Sequence, residues 1–439
     1  MKTLKQQIDA NPSITKAVKW GRLITLTGAA QVVVQAVSFI CGILVIRLLP
    51  THEYALYTIA NTMLGTITVL ADGGVSTGVM AYGGKVHNNR EELGRVLAVG
   101  FDLRKKLAFG SLLIATPVLL FLLKHNGASY FTSLLIVASL IPAIITILYS
   151  SLYEVVPKLK QEILPLQKIH IVTSFGRLSL LSISLFVFPW ACVAILAAGL
   201  PQIWANSKLQ RLSFKYTSLS LRVDPVIKNE ILSIVKRILP NSVYYCFFGQ
   251  ISIWLLSIFG STVAVAQIGA LGRLSMVINI FYVLFYTLIL PRFARLNTES
   301  KILLKRFLQI QFVLLLLSIS LVLFVLLFSS ELVWLLGENY SNLSIELLLF
   351  MIGACANFIA GVTYHTCSSR GWVLSPFVLV PVSVIGIIFS AYLFDVSSLQ
   401  GILLLNIFIA VLQLIMNEVY AVCKLIGIDK HDLQRFIKF

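Results

Sequence analysis

The feature that most constrains this chain is a series of apolar runs, each about twenty residues long, joined by short polar segments. A helix of about twenty residues crosses a hydrocarbon layer of roughly 30 Å. In that layer only helices and closed barrels pair all their own backbone groups, and these runs lack the alternation of a barrel strand. Only 12% of the residues are charged, about half of the share found in soluble domains. The sequence therefore predicts an all-α integral membrane protein.

Hydropathy and helix-breaking residues indicate about twelve transmembrane helices. The predicted spans are 24–47, 54–80, 107–123, 130–153, 169–189, 190–206, 239–259, 263–292, 307–328, 342–365, 373–394 and 400–423. The longest connection separates two sets of six spans in the same orientation. Such a parallel repeat predicts two six-helix lobes related by a pseudo-two-fold axis along the membrane normal, with a central cavity.

The predicted organisation has five parts. They are an N-terminal amphipathic segment resting on anionic lipid (1–23), an N-lobe (24–206), a cytoplasmic inter-lobe loop (207–238), a C-lobe (239–423) and a cytoplasmic tail (424–439).

The distribution of positive charge predicts the orientation of the spans. Nearly all of the 35 lysines and arginines lie in alternate connections. By the positive-inside rule these connections, and with them both termini, face the cytoplasm. The net charge of +17 is spread over short loops rather than gathered on one basic domain, so nucleic acid is not the expected partner.

Two arginines lie inside predicted spans, where a charge costs a few kcal/mol. Arg177 is near the middle of the fifth span and Arg273 is in the outer half of the eighth. No acidic residue lies one helical turn from either, so the partner must come from another helix, from water or from a substrate. Two interpretations remain open: an inter-helix ion pair or carbonyl contact, and a cationic cavity that binds phosphate oxygens.

Two further charged residues are candidates for function. Asp72, in the inner half of the second span before a glycine pair, is a candidate coupling-ion site or simply the partner of an arginine. Lys124 is a candidate outer-mouth cation or an ordinary interfacial lysine. Glu346 and Glu418 lie near the ends of their spans and are expected to reach the interface.

The sequence lacks the patterns of several other functions. It has no GxxxxGK[ST] element for ATP and no recognisable Ser/His/Asp set. The six cysteines form no CxxC pair and no zinc-like spacing with histidine. The outer connections are too short for a catalytic domain. We therefore expect no catalytic residues, no metal and no cofactor, which argues against an enzyme.

Three segments carry a resemblance to a known family. Residues 46–57, IRLLPTHEYALY, are similar to a run of arginine, leucines, small turn and Glu-(Tyr/Phe)-Gly-Leu-Tyr, with Ala55 in place of the usual glycine and Pro50 at the turn. Asp72-Gly73-Gly74 resembles an Asp-(Leu/Phe)-Gly ending of the second span. Leu239-Pro240 and Leu290-Pro291 resemble the Leu-Pro opening of the seventh span and the proline-containing end of the eighth. In this order the motifs resemble polysaccharide-biosynthesis flippases of the multidrug/oligosaccharidyl-lipid/polysaccharide (MOP) exporter superfamily, above all Wzx-type O-antigen and capsule repeat-unit translocases.

This resemblance implies a V-shaped pair of lobes that rock by alternating access in the bacterial inner membrane. The implied substrate is an undecaprenyl-diphosphate-linked oligosaccharide moved from the inner to the outer leaflet, with Arg177 and Arg273 holding its anionic groups and Asp72 coupling an ion. Membrane lipids, a polysaccharide polymerase and a chain-length protein are the implied partners. The alternatives are a drug or cation antiporter of the same superfamily and a membrane polysaccharide polymerase.

Overall fold

The structure is a computed structural model that describes residues 12–218, 224–294, 296, 300–370, 372 and 374–426, and these contain helices but no strand. The helices in chain order are α1 (Pro12–Leu48), α2 (Thr51–Asp72), α3 (Val75–Lys85), α4 (Arg90–His125), α5 (Tyr130–Tyr153), α6 (Val155–Leu159), α7 (Ile163–Val187), α8 (Ala191–Phe214), α9 (Pro225–Phe259), α10 (Thr262–Leu274), α11 (Met276–Leu284), α12 (Leu290–Ala294), α13 (Ser300–Leu327), α14 (Ser329–Leu336), α15 (Ser344–Ser368), α16 (Pro376–Leu393) and α17 (Leu399–Leu425). A π-helical turn, Phe285–Ile289, joins α11 to α12.

The all-α membrane fold is confirmed. Ten helical segments of the described chain are long and apolar enough to cross a membrane. Two helices complete the predicted set: α16 is a shorter apolar helix, and α8 covers the sixth predicted span. The short segment after α13 forms the separate helix α14.

The inter-lobe segment 207–238 is not a loop over most of its length, and that prediction is wrong. Helix α8 continues to Phe214, and α9 already begins at Pro225. The first turns of α9 place Ile227, Ile231 and Val235 on one face, where all three are buried in an apolar cluster with residues of α3 and α4. This amphipathic helix carries too many polar residues for a hydropathy window to detect.

The second predicted span is interrupted at its inner end. Gly73 and Gly74 have positive φ angles of 47° and 93°, which end α2 and start α3. A side chain at either position would collide with α9, because an added Cβ would lie 2.8 Å from Leu239 Cδ1 or from Ile238 Cβ. The glycine pair therefore provides both the left-handed backbone and the close packing of α9.

The chain divides into two compact units, residues 1–250 and 251–439, so the boundary lies inside α9 rather than in a connecting loop. In the first unit α5 packs on α8, α1 and α8 pack on α7, and α2 packs on α4. In the second unit α15 packs extensively on α17, and α13 and α16 cover this pair. Residues 12–23 belong to the long helix α1. The rest of the predicted N-terminal segment, and residues 427–439 of the predicted tail, lie outside the described residues.

Candidate functional site

Asp72 is held in a hydrogen-bonded cluster at the break between α2 and α3. Its Oδ1 accepts hydrogen bonds from the Ser76 backbone N–H at 3.2 Å and from the Ser76 hydroxyl at 2.7 Å. Its Oδ2 accepts a longer bond from the Gly74 N–H at 3.4 Å. Arg104 on α4 donates through Nη2 to the same Oδ1 and forms an ion pair with it. Asp72 is therefore the partner of an arginine, one of the two roles that the sequence left open.

Arg104 ties this cluster to a further helix. Its Nη1 donates to the Leu148 carbonyl at 2.6 Å and to the Ser151 hydroxyl, both on α5. The residue is only 3% exposed. The sequence does not mark this site, because Arg104 lies in the connection between the predicted spans 54–80 and 107–123, whereas α4 already begins at Arg90 and buries the arginine.

Arg177 lies on α7 and has a different environment. Its Nη2 donates to the Ser38 hydroxyl on α1 at 2.6 Å. Its Nε is buried and has no hydrogen-bond partner in the structure. No carboxylate of the described chain lies within 4 Å of its guanidinium. Unlike Arg104, this half-buried arginine faces a neutral hydroxyl.

Arg273 lies in the last turn of α10 and is half-buried. The predicted eighth span is interrupted just after it, since α10 ends at Leu274 and α11 starts at Met276. Arg273 belongs to the second unit and Arg177 to the first. Lys124, near the end of α4, places its Nζ 3.1 Å from the centre of the exposed Tyr130 ring, a cation–π contact. Within the first unit, Asp72, Lys124 and Arg177 each contact a different partner: Arg104, Tyr130 and Ser38.

The motif in residues 46–57 has a structural role that the sequence did not predict. Glu53 Oε2 accepts a hydrogen bond of 2.7 Å from the Ala191 N–H at the start of α8. A carboxylate at a helix N-terminus pairs an N–H that the helix cannot pair itself and interacts favourably with the helix dipole. Tyr54, Ala55 and Leu56 are buried in the same turn. The hydrogen bond from Ala191 to Glu53 therefore links the start of α8 to the first turn of α2 within the first unit.

A chain of polar side chains links three helices of the second unit. Gln311 on α13 donates through Nε2 to the Thr363 hydroxyl on α15 at 2.7 Å. The Thr363 oxygen lies 2.7 Å from Glu418 Oε1 on α17. Glu418, which the sequence placed at the interface, is instead half-buried against this hydroxyl. Thr363 itself is fully buried. No single-helix pattern in the sequence marks such a contact between distant residues.

Comparison with known proteins supplies the fold but no close relative. No family model matches the chain, and no curated protein matches it. Among solved structures, it is similar to an inward-facing multidrug resistance MATE family transporter of the MOP superfamily, with a TM-score of 0.68 and 14% identity over 89% of this chain and 94% of the other. It is also similar to a MATE protein in complex with MaD3S, with a TM-score of 0.64 and 16% identity over 92% and 95% of the chains.

A third similar structure is a MOP superfamily transporter from Pyrococcus furiosus, described as having a binding pocket of reversed polarity that suggests a different function. Its TM-score is 0.58, with 14% identity over 92% of this chain and 95% of the other. The described helices therefore have the fold of MOP superfamily transporters.

Proposed function

We propose that this chain is a transporter of the MOP superfamily, and not an enzyme, that moves an undecaprenyl-diphosphate-linked oligosaccharide across the bacterial inner membrane for O-antigen or capsule synthesis. Alternating access between two lobes moves the lipid-linked unit from the inner to the outer leaflet, and both termini face the cytoplasm. The fold shared with transporters supports the transport part of this proposal. The resemblance of residues 46–57 and 72–74 to flippase motifs supports the substrate class.

The observation that carries the proposal is the contrast between two arginines in the first unit. Arg104 is neutralised by Asp72. Arg177 instead donates to the neutral Ser38 hydroxyl and has no carboxylate of the described chain within 4 Å. A charge in an apolar span is costly, so an uncompensated arginine is typical of a site that receives an anion. Guanidinium binds phosphate oxygens through pairs of parallel N–H bonds, which suits a diphosphate.

The second candidate function is drug or cation antiport. The similarity to the multidrug resistance MATE transporter favours this second candidate, since the two structures superpose with a TM-score of 0.68. The Pyrococcus transporter, with its pocket of reversed polarity, indicates that one fold accommodates pockets of opposite charge. Arginine rather than acid at position 177 is the reason to prefer an anionic substrate.

Reconstitution of the purified chain tests the proposal. The assay follows movement of an undecaprenyl-diphosphate oligosaccharide across proteoliposome membranes, using a lectin that reaches only the outer leaflet. R177A should reduce the rate about tenfold or more, because a charge-assisted hydrogen bond contributes about 1.5–3 kcal/mol. R177K should give an intermediate rate, since lysine keeps the positive charge but lacks the planar guanidinium that donates two parallel N–H bonds.

R306A is the matched control, because Arg306 is exposed and its side chain donates to the nearby Gln309, its only hydrogen-bond partner in the described part of the chain. It should transport at the wild-type rate. If R177A also transports at that rate, the anion-binding role of Arg177 is wrong. If the wild-type protein expels a cationic dye from vesicles and leaves the lipid in place, the antiporter is correct.

A further inference from the structure

The geometry around Thr363 points to a proton-binding site in the second unit: we infer that Glu418 carries a proton here and that its release switches the Thr363 hydroxyl between two acceptors. The inference rests on contacts alone and does not depend on the proposed substrate. Asp72, the candidate coupling-ion site of the first unit, pairs instead with Arg104.

The Thr363 oxygen has three hydrogen-bonding neighbours. Gln311 Nε2 donates to it from 2.7 Å, the Ile359 carbonyl accepts from it at 3.0 Å, and Glu418 Oε1 lies 2.7 Å away. A hydroxyl has one hydrogen to donate and two lone pairs to accept with. If it donates to Ile359 and accepts from Gln311, the remaining contact is satisfied only when Glu418 is the donor. All three contacts are therefore satisfied together when the carboxyl is protonated.

Loss of the proton from Glu418 changes the hydrogen-bond pattern around Thr363, while all non-hydrogen atoms stay in place. The O–H bond of Glu418 breaks and its proton passes to water. The Thr363 hydroxyl then turns its hydrogen from the Ile359 carbonyl to the new carboxylate, while the bond from Gln311 stays. Ile359 keeps its helical backbone bond, so the switch costs only one side-chain bond. The site thus has two states that differ in the direction of a single hydroxyl.

The environment of Glu418 determines which charged groups could pair with it. The carboxyl lies about 10 Å of helix before the end of α17, an apolar helix. No Lys, Arg or His nitrogen of the described chain lies within 4 Å of it. Charged and titratable groups on this helix and on those packed against it are Arg273 (α10), Lys301, Lys305 and Arg306 (α13), Glu346, Cys355, Tyr364, His365 and Cys367 (α15), Tyr392 (α16), and Tyr420, Cys423 and Lys424 (α17). Lys424 lies over the Tyr420 ring, and Arg306 bonds to Gln309. The printed contact of the Glu418 carboxyl within the described chain is therefore with the neutral Thr363 hydroxyl, and the hydrogen-bond geometry there sets the two states.

Infrared spectroscopy of the purified full-length protein tests this inference directly. A protonated carboxyl gives a carbonyl stretch that is separate from the carboxylate bands and shifts in D₂O. Wild-type protein should show this band at neutral pH, where ordinary glutamates are ionised. E418Q should abolish it, and the glutamine can still donate to Thr363 and so preserve the fold.

The chain offers a matched control in Glu346. It starts α15, accepts a 2.7 Å bond from Gln400 on α17 and lies at the opposite end of the same helix pair. E346Q should leave the band unchanged. T363V should keep the band but change the pH at which it disappears by about one unit, the effect of one hydrogen bond to a charged group. The inference is wrong if the wild type lacks the band at neutral pH, if E418Q retains it, or if T363V titrates like the wild type.

Discussion

Substitution at the Asp72–Arg104 pair should destabilise the protein unequally, depending on which partner is removed. Arg104 is only 3% exposed, so its guanidinium is almost wholly shielded from solvent. The Asp72 side chain is 31% exposed and keeps its bonds from Ser76 and Gly74 when the arginine is gone. D72N therefore leaves a buried charge without a counter-charge, whereas R104Q leaves a carboxylate that remains hydrogen-bonded.

The contacts of Asp72 and Arg104 give the size of the difference in stability between D72N and R104Q. Removing one partner of a buried pair costs about 3–5 kcal/mol, so D72N should lower the free energy of unfolding by about 3 kcal/mol. This corresponds to roughly a hundredfold in the unfolding equilibrium constant. R104Q loses the charge-assisted bond to Asp72, while the glutamine amide can donate to one of the α5 acceptors that Arg104 uses, and it should cost about 1.5 kcal/mol. The double variant should cost less than the sum, with a coupling of about 1 kcal/mol or more.

Denaturant unfolding in mixed micelles, followed by the helical circular dichroism signal, measures all four free energies. E230Q is the control, because the Lys85–Glu230 pair is exposed on both sides at 3.8 Å and should contribute nothing measurable. The reasoning is refuted if R104Q costs as much as D72N, or if the two single effects add without coupling.

Two other predictions use the same unfolding measurement. E53A should lower the free energy of unfolding by about 1 kcal/mol, because the Ala191 N–H at the start of α8 loses its acceptor. E53Q should lower it by less, since glutamine keeps an acceptor oxygen. Equal losses in the two variants would contradict the capping role. G74A should cost about 2 kcal/mol or more, because φ is 93° and the new Cβ would meet Ile238. G110A is its control, since a Cβ there meets nothing within 4 Å, and it should be neutral or stabilise by about 0.5–1 kcal/mol; similar losses in both would contradict the steric argument.

The sequence predicted the apolar parts of the helices well. The fourth span, 130–153, coincides with α5 because Ser129 marks its start: its hydroxyl accepts a bond from the Thr132 N–H. Errors concentrate at the helix ends that the charge distribution predicts to face the cytoplasm. There α4 and α9 continue as amphipathic helices, at 90–106 and 225–238, which have polar faces and fall below any hydropathy threshold. The buried position of Arg104 was not predicted for the same reason, because the residue lies in the amphipathic part of α4.

The contacts of the candidate sites could not be predicted from the sequence. Arg177 was identified because a charge inside an apolar run is a local feature. Its contact with Ser38 joins residues 139 positions apart, and Thr363 is 55 positions from Glu418. Helical periodicity shows which residues share a face, but not which helix that face meets. Single side chains were therefore predictable, while the pairs they form were not.

The hydrogen bond from Ala191 to Glu53 has a consequence for evolutionary comparison. The donor is a backbone N–H, which every residue except proline provides. Substitution at position 191 by any residue except proline therefore leaves the bond intact. Substitution at position 53 selects for no compensating change at position 191. Methods that find contacts from correlated substitutions should miss this pair, although it joins helices far apart in the chain. In homologous proteins, the contact should appear as a constant acid opposite a freely varying residue that is never proline.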